Sequence, residues 1–150
     1  MAHVSLSSPV GSLSLFEDGG KIVALEWGKV SARESSKLLE DAARQLNAYF
    51  DGRLKTFDLP LAPQGTSFQR AVWDQLCLIP YAEARTYGDV AKAVRSAPRP
   101  VGGACGRNPI PIIIPCHRVL ASGGRIGGFS GYAGVETKRR LLKLEGYPIT

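Results

Sequence analysis

Two short stretches near the start of the chain alternate apolar and polar residues. Ser12-Leu13-Ser14-Leu15-Phe16 and Lys21-Ile22-Val23-Ala24-Leu25-Glu26-Trp27 flank Glu17-Asp18-Gly19-Gly20. A period of two on either side of a glycine pair predicts a β-hairpin. Between residues 32 and 50 the period changes, and Leu38, Leu39, Ala42, Leu46 and Tyr49 fall at helical spacing. That predicts one helix lying on a small sheet. Nothing in this part carries chemistry, so its expected job is to support the rest of the chain. Gly52, Pro60, Pro63 and Gly65 mark residues 51–65 as a linker.

Beyond the linker the pattern is helical. Thr66-x-x-Gln69 reads as a capping box opening a helix whose apolar face is Phe68, Ala71, Val72, Leu76 and Ile79, with Pro80 as its stop. Cys77 lies in this helix and reads most simply as a core residue. Thr86-x-x-Asp89 predicts a second start, with a short helix from Tyr87 to Val94. A third helix follows a tight turn and begins near Pro98, because prolines are tolerated only in the first helical turn. Two short helices around a tight turn outline a helix-turn-helix, the second being the reader. Gly102 and Gly103 in that second helix permit close approach of backbone to backbone or to DNA. A last helix from Val135 to Glu145 carries an i,i+4 pair, Glu136 and Arg140, on its exposed face.

Between these helices lies Asn108-Pro109-Ile110-Pro111-Ile112-Ile113-Ile114-Pro115-Cys116-His117-Arg118-Val119. Its three prolines and isoleucine run predict a stiff extended lead-in, neither helix nor central strand. It delivers a cysteine with a histidine beside it. A thiol becomes a strong nucleophile only as the thiolate, which a nearby base or positive charge supplies. Taken alone the pair favours a buried structural cysteine beside a surface histidine, since neighbours in an extended segment point to opposite sides. Glu145 shares the apolar face of Leu141 and Leu142, and a carboxylate on a buried side needs a partner. His117 is the natural one, and a surface ion pair is an equal alternative from spacing alone. Gly123 to Gly131 forms a glycine-rich loop without the Gly-Lys-Ser/Thr of a phosphate cradle. It reads either as a backbone lining a pocket or as a surface loop.

Composition narrows the partners. At 150 residues, 44% hydrophobic and 21% charged, the chain is an ordinary soluble protein of one or two small domains. It has no apolar run long enough to span a membrane, and its start lacks the features of a secretory signal. Three cysteines without framework spacing suit a reducing compartment. With only two histidines the expectation is no metal. Of the net charge of +6, residues 1–65 contribute −1 and residues 66–150 contribute +7. That asymmetry favours a polyanion, nucleic acid first, over a merely solvated basic surface.

The segment from Asn108 to Val119 resembles the signature of the O6-alkylguanine-DNA alkyltransferases, the methylated-DNA–protein-cysteine methyltransferase family. The resemblance extends through Gly127-Gly128-Phe129-Ser130-Gly131 and Leu141-Leu142-Lys143-Leu144-Glu145-Gly146 downstream. Upstream it includes Thr66-Ser67-Phe68-Gln69 and Tyr87-Gly88-Asp89-Val90-Ala91. It implies an α/β fold of the α+β kind. A small N-terminal sheet-plus-helix (RNase H-like) domain, residues 1–62, would precede a mostly helical domain, residues 66–150, with the helix-turn-helix and the active-site cysteine.

The implied reaction is single-turnover transfer of an alkyl group from O6-alkylguanine in DNA to Cys116. His117, oriented by Glu145, would draw the thiol proton through a water, and Asn108 would brace the turn. The target base must leave the stack. Arg99 resembles the arginine that fills the vacated space, and Tyr87 the tyrosine that promotes rotation and hydrogen-bonds the base. Cys105, Val119, Phe129, Ser130 and Gly131 would complete the pocket, with the Ser130 amide donating to guanine O6. The implied partner is double-stranded DNA carrying O6-alkylguanine, met by a monomer without cofactor or membrane, in the cytoplasm (the nucleus in a eukaryote).

The match departs from the family pattern in places. Phe129 stands where tyrosine is common, and the residues of the structural zinc site of some members are absent. Pro98 and Pro100 bracket Arg99, so Arg95 is its alternative. Three competing readings are a lesion-binding module of the same fold, a papain-like thiol hydrolase and a plain helix-turn-helix regulator. The intact Cys116 counts against the first and the basic charge of the second half against the second. The third would show no loss of a thiol on meeting damaged DNA.

Overall fold

The computed structural model describes residues 1–30, 34–127 and 134–149. They form two compact units, Met1–Gln64 and Gly65–Thr150.

The first unit is an antiparallel sheet with a helix. Strands β1 (Ala2–Ser8), β2 (Gly11–Asp18) and β3 (Lys21–Trp27) follow one another in sheet order. The hairpin expected from the alternating runs is β2–β3. The alternation of Val4 and Leu6 adds β1, which sequence reasoning passed over. Val4 lies opposite Leu15 and Leu6 opposite Leu13. Helix α1 (Lys37–Phe50) starts later than its periodicity suggested. Glu34 instead bridges to His3, and Ser36 caps the helix by accepting from the Leu39 amide. Leu39, Ala42, Leu46 and Tyr49 are buried, as are Leu13, Leu15, Ile22 and Leu25 of the sheet.

The second unit is mostly helical. Helix α2 (Ser67–Cys77) opens with the full capping box of Thr66 and Gln69. Its buried face is Val72, Trp73 and Leu76, whereas Ala71 and Cys77 are exposed. The core assignment of Cys77 was therefore wrong: at 100° per residue it lies about 90° from the middle of that face, at the last position of the helix. Trp73 Nε1 donates to the Ala104 carbonyl at 2.9 Å. That carbonyl is near the end of helix α4 (Pro98–Gly106) and also accepts from the Arg107 amide at 3.1 Å. The same ring requires glycine at residue 65, because a Cβ there would lie 2.5 Å from Trp73 Cη2.

The strand β4 (Arg85–Thr86) leads directly into helix α3 (Tyr87–Ala93), which has the expected Thr86–Asp89 capping box. Helix α4 begins with prolines in its first turn. The connection between α3 and α4 is closed by Arg95 in the left-handed region (φ 56°). Strand β5 (Val119–Leu120) pairs in parallel with β4, and helix α5 (Gly134–Glu145) closes the unit. No described helix is long and apolar enough to cross a membrane.

Candidate active site

The segment before Cys116 is not the extended lead-in that its prolines suggested. It folds into a compact turn in which Pro111 bridges to Ile114 and the Ile114 amide donates to the Ile110 carbonyl at 2.9 Å. Asn108 closes the turn from both sides. Its Nδ2 donates to the Ile114 carbonyl at 2.8 Å, and its Oδ1 accepts from the Ile110 amide at 3.0 Å. The reversal puts Ile112 at φ 74°, a conformation that a β-branched residue adopts at a cost of about 1–2 kcal/mol. Ile110, Ile112 and Ile114 are each at most 1% exposed. Burying one such side chain contributes about 1.5–3 kcal/mol, enough to hold the reversal in place.

Pro115 ends the turn, and Cys116–Arg118 form a single 3₁₀ turn. Successive side chains there are about 120° apart rather than on opposite sides. The adjacency of Cys116 and His117 is thus no obstacle to joint action. Pairing of β5 with β4 brings Leu120 beside Thr86, so the start of α3, with Tyr87, lies beside the chain that leaves the cysteine turn.

His117 and Glu145 are both buried, with Nε2 and Oε2 2.7 Å apart. Glu145 therefore faces inward, as its place on the helix suggested. It is a hub rather than one member of a pair. Arg118 grips it with two bonds, Nε to Oε1 at 2.9 Å and Nη2 to Oε2 at 3.0 Å, and the Ala82 amide donates to Oε1 at 3.2 Å. Arg118 Nη1 also donates to the Ile79 carbonyl at 2.7 Å. His117 Nδ1 is buried and bonds to no atom of the described residues.

Burial dominates the electrostatics. Desolvation holds the His117 imidazole below its ordinary range, against the opposing pull of Glu145. It pushes the Cys116 thiol up, opposed by a hydrogen bond from the Asn108 side chain and by the charge of Lys138. Lys138 is itself fully buried, with Nζ 3.5 Å from Tyr87 Oη and 5.5 Å from the centre of its ring. Removal from water brings its ammonium down to about 8, partly offset by Cys116 and Cys105. Tyr87 and Cys105 are both pushed up to about 12, by burial first and then by neighbouring thiols.

Of the remaining expected residues, Val119 is fully buried in β5 and Cys105 is buried in α4. Arg99 is exposed in the first turn of α4, and Arg95 is exposed in the connection before it. Gly102 and Gly103 would meet nothing within 4 Å if they carried a Cβ, so internal packing does not require glycine at either position. Phe129, Ser130 and Gly131 lie outside the described residues. Sequence reasoning missed Arg118 and Lys138. Lys138 had a signal, since it precedes Glu145 by seven residues and shares the face of Leu141 and Leu142. Arg118 had none, because a three-residue turn has no periodicity to read.

A buried thiol beside a histidine held by a carboxylate, on a unit with a helix-turn-helix, defines a thiol-dependent protein of the nucleic-acid-binding class. Comparison with known proteins narrows the class. Residues 67–147 match the model of the 6-O-methylguanine DNA methyltransferase DNA binding domain, and residues 1–63 that of its ribonuclease-like domain. The chain belongs to this family. It is 45% identical to the methylated-DNA–protein-cysteine methyltransferase of Methanosarcina acetivorans, over 97% of this chain and 99% of that protein. Among solved structures it is similar to the Mycobacterium tuberculosis OGT in complex with DNA (TM-score 0.87, 40% identity, 97% of this chain and 92% of that one). It also resembles the O6-methylguanine-DNA methyltransferase of the hyperthermophilic archaeon Pyrococcus kodakaraensis (TM-score 0.62, 27% identity, 96% and 99%).

Proposed function

We propose that the protein repairs DNA by direct reversal, transferring the alkyl group of O6-alkylguanine to its own Cys116 in a single turnover. The observation that carries this reading is the buried Cys116 adjoining the His117–Glu145 pair, whose Nε2–Oε2 separation is 2.7 Å. Glu145 fixes the ring through Nε2, which leaves Nδ1 as the nitrogen that takes a proton. A bridging water carries the proton from the thiol to it, since a buried polar atom is rarely left without a partner.

The thiolate then attacks the alkyl carbon. A carbon–sulfur bond forms, the carbon–O6 bond breaks, and the electron pair stays with guanine, which takes up a proton. The thioether is a poor leaving group, so Cys116 is consumed and no cofactor takes part. Lys138 supports the thiolate by its charge, and Asn108 holds the turn that presents the sulfur. Tyr87, Cys105 and Val119, with Phe129, Ser130 and Gly131, line the pocket for the base. An alkylated base within a duplex is out of reach, so it must be extruded, and a base weakened in its pairing is the easiest to extrude.

The partner is double-stranded DNA, met by a monomer in the cytoplasm (the nucleus in a eukaryote). Helix α4 approaches it with Gly102 and Gly103 against the backbone and Arg99 filling the gap left by the base. The charge of +7 on residues 66–150 supports such binding, through phosphate contacts that weaken with salt.

The test is intact-protein mass after mixing with duplex DNA that bears one O6-methylguanine. A stoichiometric gain of one methylene, mapped to Cys116 and absent in Cys116→Ser, is the expected result. Binding without a mass gain would overturn transfer and leave a lesion-binding module.

A further inference from the structure

Arg118 has an unusual position for an arginine. Its side chain is 8% exposed, and it directs its donors into the protein, two to Glu145 and one to the Ile79 carbonyl. Buried ion pairs of this kind often contribute little to stability compared with apolar residues of the same volume. A role in the chemistry accounts for its presence better than a role in the fold.

We propose that Arg118 is a positioning residue of the transfer reaction: its fork on both Glu145 oxygens keeps that carboxylate an orienting acceptor for His117 and stops it from holding the imidazole in the charged form. This rests on the transfer reading above. The argument is a count of charge. A guanidinium keeps its charge in proteins, so its pairing with the Glu145 carboxylate is neutral overall and His117 beside them stays neutral at no electrostatic cost. Without the guanidinium, a lone buried carboxylate 2.7 Å from the imidazole takes up a proton onto the pair, whichever partner carries it. A histidine already protonated cannot accept the proton of Cys116.

The groups that act on His117 are Glu145 and Lys138 from α5 and Arg118 from its own turn. Tyr81 and Cys77 face Arg118 from the segment around the end of α2, with the Arg118 Cζ 5.8 Å from the Tyr81 ring centre. Lys138 also opposes protonation of His117, but it lacks the fork that fixes the Glu145 oxygens. Arg118 therefore sets both the orientation and the charge of the carboxylate.

The experiment is the pH profile of single-turnover transfer, with the His117 ring titration followed by NMR in parallel. The chain has two histidines, so a His3→Gln background leaves one ring to follow. In Arg118→Met the acid limb of the rate and the proton uptake of the pair move up together by roughly one pH unit. In Arg118→Lys the limb stays near its original place, while the rate falls about tenfold or more at every pH because the fork is lost. A structural role alone would lower stability and rate without moving the limb, and an unmoved limb in folded Arg118→Met overturns the proposal. If that variant does not fold, the unaltered protein decides. His117 titrating above the ordinary value near 6.5 overturns the proposal. Absence of transfer by the unaltered protein would sink the repair reading, while the ring titration would still test the arrangement around Glu145.

Discussion

Among the described residues of the first unit, the buried polar side chain is Ser14, whereas the second unit buries His117, Arg118, Thr137, Lys138 and Glu145. Ser14 is satisfied by short-range needs of the sheet. Its Oγ donates to the Gly28 carbonyl at 2.7 Å and lies 2.9 Å from the hydroxyl of Ser5. The buried groups of the second unit include formal charges joined across 27 and 28 residues of chain. One interior follows from a pattern of apolar residues. The other sets apolar gain against charge burial around a thiol and a histidine. The difference separates a region specified by packing from one specified by chemistry, and substitutions can probe it directly.

The largest effect is expected at the hub. Glu145→Gln leaves the Arg118 charge buried without its counter-ion, and this should cost about 3–5 kcal/mol in denaturant unfolding. Alkyl transfer at pH 7 should fall at least about a hundredfold, as expected when a general base loses its orienting group.

Lys138→Met sharpens the comparison in the opposite direction. The Lys138 ammonium is brought down to about 8 in the folded protein, below its ordinary 10.5. Its burial therefore weakens the fold fully below about pH 8, and the penalty shrinks as pH rises towards 10.5. Lys138→Met should raise stability by about 1–2 kcal/mol at pH 7 and by less and less above pH 8. The same variant should transfer alkyl groups more slowly. Thermal melts across pH, paired with transfer rates, check both halves.

Ser14→Ala is the matching change in the first unit. It removes hydrogen bonds worth about 1 kcal/mol and should leave transfer unchanged. Arg99→Ala should have the smallest effect on stability, within about 0.5 kcal/mol for an exposed position. It should nonetheless slow repair of duplex DNA more than reaction with a free alkylated base, which needs no extrusion. Equal loss on both substrates would remove Arg99 from its proposed place in the stack.

The contrast between the units also explains what could be read from the sequence. The β2–β3 hairpin and both capping boxes were legible because each is written in residues a few positions apart. The same holds for the proline-started α4 and for the inward face of Glu145. The compact turn from Asn108 to Pro115 was not legible, because three prolines restrict φ without fixing the direction of the chain. The left-handed Ile112 carries no signal of its own. The fork of Arg118 on Glu145 depends on how a 3₁₀ turn meets the last helix, and no local pattern encodes that meeting. Cys77 was misplaced because it lies at the margin of the buried face of α2, at its last position, where helical spacing alone does not decide burial.

The position of Glu145 has a consequence for the order of events during synthesis. The sulfur of Cys116 is placed by contacts within eight residues, through the closed turn that Asn108 braces. The carboxylate that orients His117 follows 28 residues later, at the end of α5. A ribosome adds residues one by one from the N-terminus, so the nucleophile is made and locally shaped before its proton acceptor is aligned. Until α5 emerges and docks, the His117 ring lacks the carboxylate that holds it, so the proposed proton transfer from Cys116 has no aligned acceptor. In the proposed single-turnover reaction, catalysed use of the sulfur is thereby tied to the docking of α5.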